Sequence, residues 1–105
     1  MIVTVTVDRP LGSCHPEYKE LRYPLNYGYV KGIIAGDGEE QDAYILGVDQ
    51  PVKEFTGKLI AVICRKNDNE DKWIVCPEEM QFTEEEIRRA VWFQEQYFDS
   101  EIRLV

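Results

Sequence analysis

The chain has 105 residues, and its twelve Lys or Arg residues are outnumbered by twenty Asp or Glu residues, which gives a formal charge of −8. This length predicts one domain, residues 1–105, with a single hydrophobic core. The acidic balance argues against binding to nucleic acid or to an anionic membrane, because both need a basic face. A phosphorylated small molecule remains compatible with it if metal ions bridge the ligand to the acids.

Two further features bear on where the protein acts. No apolar run approaches the roughly 20 residues of a membrane span, and the first residues lack the basic start and apolar centre of a signal peptide. The cysteines, Cys14, Cys64 and Cys76, are odd in number and lack the paired spacing of a zinc site. We therefore expect reduced thiols and a cytoplasmic protein.

Several short apolar segments predict strands. Residues 1–7 alternate Val with Thr, which is typical of a half-buried strand. Residues 9–24 contain three prolines and one glycine, so we expect a surface loop leading into a tyrosine-rich strand at 27–34. Three more strands are predicted from apolar runs that are too short for helices. They are residues 43–48, 59–64 and 72–76.

A single helix is predicted near the end of the chain. Thr83 and Glu86 form a capping box, with Thr83 at the N-cap. The apolar stripe that follows comprises Ile87, Ala90, Val91, Tyr97 and Phe98, with Arg88, Arg89, Glu95 and Gln96 outside it. Five strands followed by one helix predict a mainly β, α+β fold: a small closed or nearly closed barrel covered by the helix.

Residues 37–42, Asp-Gly-Glu-Glu-Gln-Asp, place four acidic side chains within six positions. Acids around a glycine turn can converge oxygen ligands on a hard cation such as Mg²⁺ or Mn²⁺. An acidic surface turn between two strands has the same composition, so spacing alone leaves both interpretations open.

Three motifs narrow the choice. Residues 23–29 read Tyr-Pro-Leu-Asn-Tyr-Gly-Tyr, residues 37–42 follow, and Glu70-Asp71-Lys72 leads into an apolar strand. In this order they resemble the soluble inorganic pyrophosphatases of the first family, whose patterns are Y-P-x-N-Y-G-Y, D-G-D-P-x-D and D-x-K. The resemblance implies an OB-like five-stranded closed barrel, hydrolysis of pyrophosphate or a closely similar phosphoanhydride with magnesium or manganese, and a homo-oligomer.

The same resemblance implies a set of metal ligands. Asp37 and Asp42 would bind the principal metal, together with the acid two residues before Lys72, which is Glu70. Since the family usually has aspartate at that position, Asp71 could take the role instead by a shift of register. Asp68 would be the extra carboxylate for a second metal, with a polar hairpin turn over residues 67–71 as the alternative.

The remaining roles concern the substrate. Glu39 stands where the family has the presumed base for the attacking water, and Tyr27, Lys72 and Tyr97 match residues that contact phosphate. From the residues alone, Tyr27 could simply fill the barrel and Lys72 could be a solvated edge residue.

Two departures from the family affect the leaving phosphate. Phe98 stands where a lysine is expected, and no inserted hairpin with a lysine and an arginine precedes Tyr23. Arg9 is our candidate for the missing cation, with His15, Lys19 and Arg22 as further candidates, and each of the four could instead be a solvated loop residue. These departures support an alternative function, a non-catalytic or altered-substrate protein that binds a phosphate compound, whereas a purely structural barrel would make the ordered motifs an accident.

Overall fold

The structure is a computed structural model that describes residues 1–66 and 70–105. Within these residues the chain forms six strands and one helix. In chain order they are β1 (Ile2–Arg9), β2 (Asn26–Ile34), β3 (Glu40–Ile45), β4 (Glu54–Arg65), β5 (Asp71–Cys76), α1 (Glu84–Glu95) and β6 (Ser100–Leu104).

Five of the strands close into a barrel in the order β1-β2-β3-β5-β4, and β4 pairs back with β1. The closing pair is antiparallel and sets Ile2 opposite Lys58 and Thr6 opposite Glu54. Strands β3 and β5 are parallel, with Ala43 opposite Trp73. The predicted five-stranded OB-like barrel with a helix after it is confirmed.

Strand β6 was not predicted from the sequence. It adds to the barrel by pairing with residues Ala61 to Arg65 of β4. Only Ile102 of its five residues is buried, so the strand gives no clear alternation of apolar and polar positions. Strand β3 also begins earlier than predicted, and Asp42 therefore lies within a strand rather than in the preceding turn.

The helix covers the core with one face, as predicted, and the capping box at Thr83 and Glu86 is present. Ile87 and Val91 are fully or almost fully buried against the barrel. The prediction for the end of the helix was wrong: Tyr97 and Phe98 follow the last helical residue and are exposed, whereas Glu95 is only 2% exposed. No helix within the described residues has the length and apolar character needed to cross a membrane.

Residues 10–24 form a folded segment rather than an extended loop. The N–H of His15 donates to the carbonyl oxygen of Leu21 at 2.8 Å, and Cys14 forms an isolated bridge with Arg22. The N–H of Tyr23 donates to the Ser13 carbonyl at 2.8 Å. These bonds make a small hairpin between β1 and β2 that includes Lys19 and Arg22, so the expectation that no hairpin precedes Tyr23 was wrong.

Close packing of β1 against β2 depends on Gly28, which lies opposite Val7. A Cβ atom at this position would come within 1.9 Å of the carbonyl oxygen of Thr6. No backbone can tolerate that distance, so any side chain here would push the two strands apart. Glycine thus fixes the spacing between Arg9 at the end of β1 and Tyr27 on β2.

Candidate functional site

A cavity of about 740 Å³ opens where strand ends, the 10–24 hairpin and the end of α1 meet. The strand residues that line it are one acid, three cations and a tyrosine. They are Arg9, Tyr27, Asp42, Arg65 and Lys72, and Glu70 joins them from the residue before β5. The hairpin contributes His15, Tyr18, Glu20 and Leu21, and the helix and the turn after it contribute Gln94, Tyr97 and Phe98.

Lys72 is a buried cation that lines this cavity. Its side chain is 4% exposed, and Nζ donates to Asp42 Oδ2 at 2.5 Å and to the Tyr27 hydroxyl at 3.0 Å. Nζ also lies 3.6 Å from Glu70 Oε2. Alternation along β5 turns Lys72 inward and Asp71 outward. A solvated edge position for Lys72 is therefore excluded.

Asp37 approaches the same group from the turn before β3. The pKa of its carboxyl group lies below the ordinary value, first because the backbone N–H of Glu39 donates to Oδ1 at 3.0 Å. A side-chain hydrogen bond with Glu70 and the charge of Lys72 lower this pKa further. Asp37 is thus linked to Glu70 and feels the charge of Lys72, but it is exposed and does not itself line the cavity.

Other predicted site residues are not brought to this cavity. Asp71 is exposed on the other face of β5, where its charge helps to raise the pKa of the Cys64 thiol, after the larger effect of desolvation. Of the two register alternatives, Glu70 and not Asp71 lines the cavity. Glu39 is exposed in the turn and does not line the cavity. Asp68 lies outside the described residues.

The carboxylates offer an oxygen-only donor set, which is what Mg²⁺ or Mn²⁺ prefers. Within residues 1–66 and 70–105, however, no three His, Cys, Asp or Glu side chains are arranged so as to hold a metal ion. The ammonium group of Lys72 lies between Asp42 and Glu70 instead. The donor chemistry fits a divalent cation, and that cation would share these carboxylates with Lys72.

Tyr27 fills the barrel and also reaches the cavity with its hydroxyl. The side chain is almost fully buried, and burial raises its pKa well above the ordinary value, with the Asp42 charge and a hydrogen bond to Asp42 as further causes. The hydroxyl therefore stays protonated and accepts from Lys72. The interpretation that Tyr27 fills the barrel is confirmed, and its contact with phosphate stays a prediction.

Arg9 enters the cavity from the end of β1. Its guanidinium carbon lies 5.4 Å from the ring centroid of Tyr27 and 5.6 Å from that of Tyr23. Nη1 donates to the Tyr23 hydroxyl at 2.5 Å. These contacts hold a positive charge over two aromatic faces, on the side of the cavity nearest the hairpin.

A second buried cation, Arg65, and its partner Glu95 were not predicted from the sequence. Nε and Nη2 of Arg65 donate to the two carboxylate oxygens of Glu95 at 3.1 and 2.7 Å, and Nη1 donates to Glu70 Oε2 at 3.3 Å. The guanidinium carbon lies 3.7 Å from the ring centroid of Phe98. Phe98 thus faces a cation of the protein itself.

A signal for both residues exists in the sequence. Ala61, Ile63 and Arg65 alternate along β4 and all point inward. Glu95 follows Ile87 and Val91 at intervals of four, which puts it on the buried face of the helix. The burial pattern alone predicts that both side chains lie inside, whereas their charge predicts that they are exposed to solvent.

A chain of hydrogen bonds connects the two sides of the cavity beneath its floor. The Tyr23 hydroxyl donates to Gln94 Oε1 at 2.7 Å, and Gln94 Nε2 donates to the Tyr44 hydroxyl at 2.7 Å. The Tyr44 hydroxyl then donates to Glu95 Oε2 at 2.6 Å. Since these groups are buried, the network fixes the positions of Arg9 and Arg65 relative to each other.

No family model and no curated protein sequence matches the chain. Solved structures do match. The inorganic pyrophosphatase of Ehrlichia chaffeensis aligns with a TM-score of 0.76 and 18% identity, covering 99% of this chain and 86% of that one.

Two further structures agree. An inorganic pyrophosphatase of Neisseria gonorrhoeae aligns with a TM-score of 0.70 at 18% identity over 91% of this chain and 73% of that one. An inorganic pyrophosphatase of Coxiella burnetii aligns with a TM-score of 0.69 at 18% identity, over 98% of this chain and 84% of that one. The resemblance expected from the sequence motifs is confirmed at the level of the fold: this chain has the fold of the inorganic pyrophosphatases.

Proposed function

We propose that the cavity binds inorganic pyrophosphate, or a closely similar small phosphoanhydride, and hydrolyses it to two phosphates with magnesium or manganese. The observation that carries the proposal is the meeting of Asp42, Glu70, Lys72 and Tyr27 in one cavity of a fold shared with inorganic pyrophosphatases. These groups come from three strands and the residue before β5, so their convergence depends on the closed barrel.

Asp37, Asp42 and Glu70 are the residues that would hold the metal. A bound divalent cation supplies neutralising charge to the phosphate oxygens and lowers the pKa of a water molecule. Cleavage of a phosphoanhydride is mainly a problem of charge and alignment, so the rest of the site must present cations and donors in fixed positions.

The cations of the chain meet that need. Lys72 presents a buried positive charge whose position is set by Asp42 and by the Tyr27 hydroxyl. Tyr27 remains protonated and can donate a hydrogen bond to a phosphate oxygen. Arg9, held over the rings of Tyr23 and Tyr27, would balance the charge of the second phosphate. Tyr97, which lines the opening and is 70% exposed, remains a predicted substrate contact.

The base for the attacking water stays a prediction. Glu39 follows Asp37 by two residues in the same exposed turn, so a movement of this turn would be needed to bring its carboxylate to the cavity. Self-association and a cytoplasmic location also stay predictions. Sedimentation of a strict monomer would contradict the first of them.

One observation favours a second candidate, a non-catalytic protein that binds phosphate compounds. Lys72 and Arg65 already pair with the acids of the cavity, and Phe98 offers no hydrogen bond to phosphate. Such a protein would bind pyrophosphate without turnover. Substitution of Glu39 would then leave its behaviour unchanged.

The test is the release of phosphate from pyrophosphate by the purified protein, with and without Mg²⁺. Asp42→Asn removes the carboxylate charge while keeping the size of the side chain, and it should abolish release. Asp49→Asn makes the same chemical change at an exposed position and should retain it. Binding of pyrophosphate without release, under all metal conditions, would favour the second candidate.

A further inference from the structure

Arg65 lies at the end of β4 with its side chain 4% exposed, between two acids. Its guanidinium group binds both oxygens of Glu95, which is 2% exposed, and one oxygen of Glu70. The ring of Phe98 covers one face of the guanidinium group at 3.7 Å. The cation is therefore fixed on three sides at the edge of the proposed metal site.

This placement changes the charge that the site can accept. Four carboxylates, those of Asp37, Asp42, Glu70 and Glu95, are linked through contacts with Arg65 and Lys72 or with one another. When all six groups are ionised, this acid cluster, counted over residues 1–66 and 70–105, carries two net negative charges. One divalent cation balances that charge, whereas a second would leave the cluster with two net positive charges, one more than in a cluster that lacks the charge of Arg65.

We propose that Arg65 is a built-in cation that occupies the position between Glu70 and Glu95 where a second divalent ion would bind, so that the cluster takes one divalent ion instead of two. The inference rests on the proposed function, and it revises the second metal implied by the resemblance. The chemical class of the single ligand is a hard divalent cation such as Mg²⁺ or Mn²⁺.

The geometry of the ion pair supports this role. A guanidinium group matches a carboxylate with two parallel hydrogen bonds, which makes such pairs specific and strong. Oε2 of Glu95 is also bonded to the Tyr44 hydroxyl at 2.6 Å, so both oxygens of this carboxylate are engaged within the protein. Like charges repel strongly at short range in a poorly solvated site. A divalent ion is thus kept away from Glu95 while Arg65 is in place.

Removal of the guanidinium group should create the missing site. In Arg65→Met, the buried Glu95 carboxylate faces Glu70 with no intervening cation, and a buried unpaired charge is strongly unfavourable. A divalent ion can relieve it by binding both carboxylates. In the double variant Arg65→Met/Glu95→Gln the second carboxylate charge is also gone, so the additional ion should not bind.

The experiment counts bound Mn²⁺ on the full chain by equilibrium dialysis, with free Mn²⁺ measured by electron paramagnetic resonance and no substrate present. We expect one Mn²⁺ for the wild type, two for Arg65→Met, and one for the double variant. Circular dichroism checks that each variant is folded. Arg65→Gln, which keeps a neutral donor toward Glu95, is the second variant if Arg65→Met fails to fold, and it should also bind two.

Two ions or none on the wild type would overturn the inference, as would a count of one on folded variants that lack the Arg65 charge. Phosphate release by the wild type is scored separately. A protein that releases phosphate and binds two Mn²⁺ would retain the proposed function and disprove the role of Arg65. A protein with the expected Mn²⁺ counts and no phosphate release would retain the role of Arg65 and disprove the proposed function.

Discussion

The two sides of the cavity are built differently. The acid side is carried by β3, β4 and β5, and Asp42, Lys72 and Arg65 are tied to one another or to Glu70 by short contacts. The side nearest the hairpin has Arg9 on β1, but its other members come from residues 10–24, whose side chains are mostly exposed. Barrel strands give fixed positions, so the acid side is organised before any ligand arrives. The hairpin side can adjust.

The largest effect is expected where the acid side depends on one buried charge. Lys72→Met removes the cation between Asp42 and Glu70, and loss of a fixed donor at a reacting phosphate costs about 100-fold or more in kcat. Phosphate release measured at saturating pyrophosphate gives this value. Lys66→Met is the control: Lys66 is an exposed lysine directly after β4, and this variant should retain activity. Equal losses in the two variants would contradict the special position of Lys72.

A second comparison separates neighbouring acids within the acid side. Glu70→Gln should lower phosphate release at least about tenfold and weaken Mg²⁺ activation, because it removes a carboxylate from the cavity. Asp71→Asn should have little effect, since Asp71 faces away from the cavity. The Mg²⁺ dependence of both variants is the measurement. A larger loss of phosphate release for Asp71→Asn than for Glu70→Gln would contradict the placement of Asp71 on the outer face of β5.

The hairpin side should respond in KM more than in kcat. Arg9→Met removes a charge-assisted contact with the substrate, which typically contributes about 1.5–3 kcal/mol, so an increase in KM of roughly tenfold or more is expected. Arg103→Met removes an exposed arginine of β6 that does not line the cavity, and it should change KM little. If kcat falls and KM stays constant for Arg9→Met, Arg9 belongs functionally with the acid side.

The smallest effect lies outside both sides, at the start of α1. Thr83→Ala removes the capping bond to the Glu86 N–H at 3.1 Å and should cost about 1 kcal/mol in the free energy of unfolding, without changing kcat. Urea denaturation measures this change in the free energy of unfolding.

The N-cap also lowers the pKa of Glu86, first through the backbone hydrogen bond to Thr83. A carboxyl group with a lowered pKa in the folded state stabilises the fold at pH values above its pKa in the unfolded state. This stabilisation is lost as the pH falls through the pKa of the folded state. Glu86→Gln should therefore remove this contribution to the dependence of stability on pH at low pH.

The sequence predicted the barrel, the helix start and the central residues of the cavity, but it did so unevenly. Alternating valines and short apolar runs report which face of a strand is buried, and this was sufficient for β1, β2 and β5. The motif around Lys72 indicated which acids to look for. Strand β6 has a single buried residue, so its burial pattern carried almost no information.

The ion pair of Arg65 and Glu95 could not be found in the same way. The two residues are 30 positions apart and are buried only because each neutralises the other. Taken singly, a charged residue is expected to be in solvent, and Glu95 was accordingly assigned to the exposed face. The choice between Glu70 and Asp71 likewise depended on where β5 begins, which a pattern of residue types does not fix to within one position.

Strand β4 makes hydrogen bonds to more of the molecule than a barrel strand requires, because it pairs with β1 over its first half and with both β5 and β6 toward its end. Local opening of the protein at any of these three seams leaves β4 paired along the others. Its central amides should therefore be among the slowest to exchange with deuterium. Arg65, as the last residue of this strand, is paired with Ser100 of β6, so its charge is held by the barrel and not by the 10–24 hairpin.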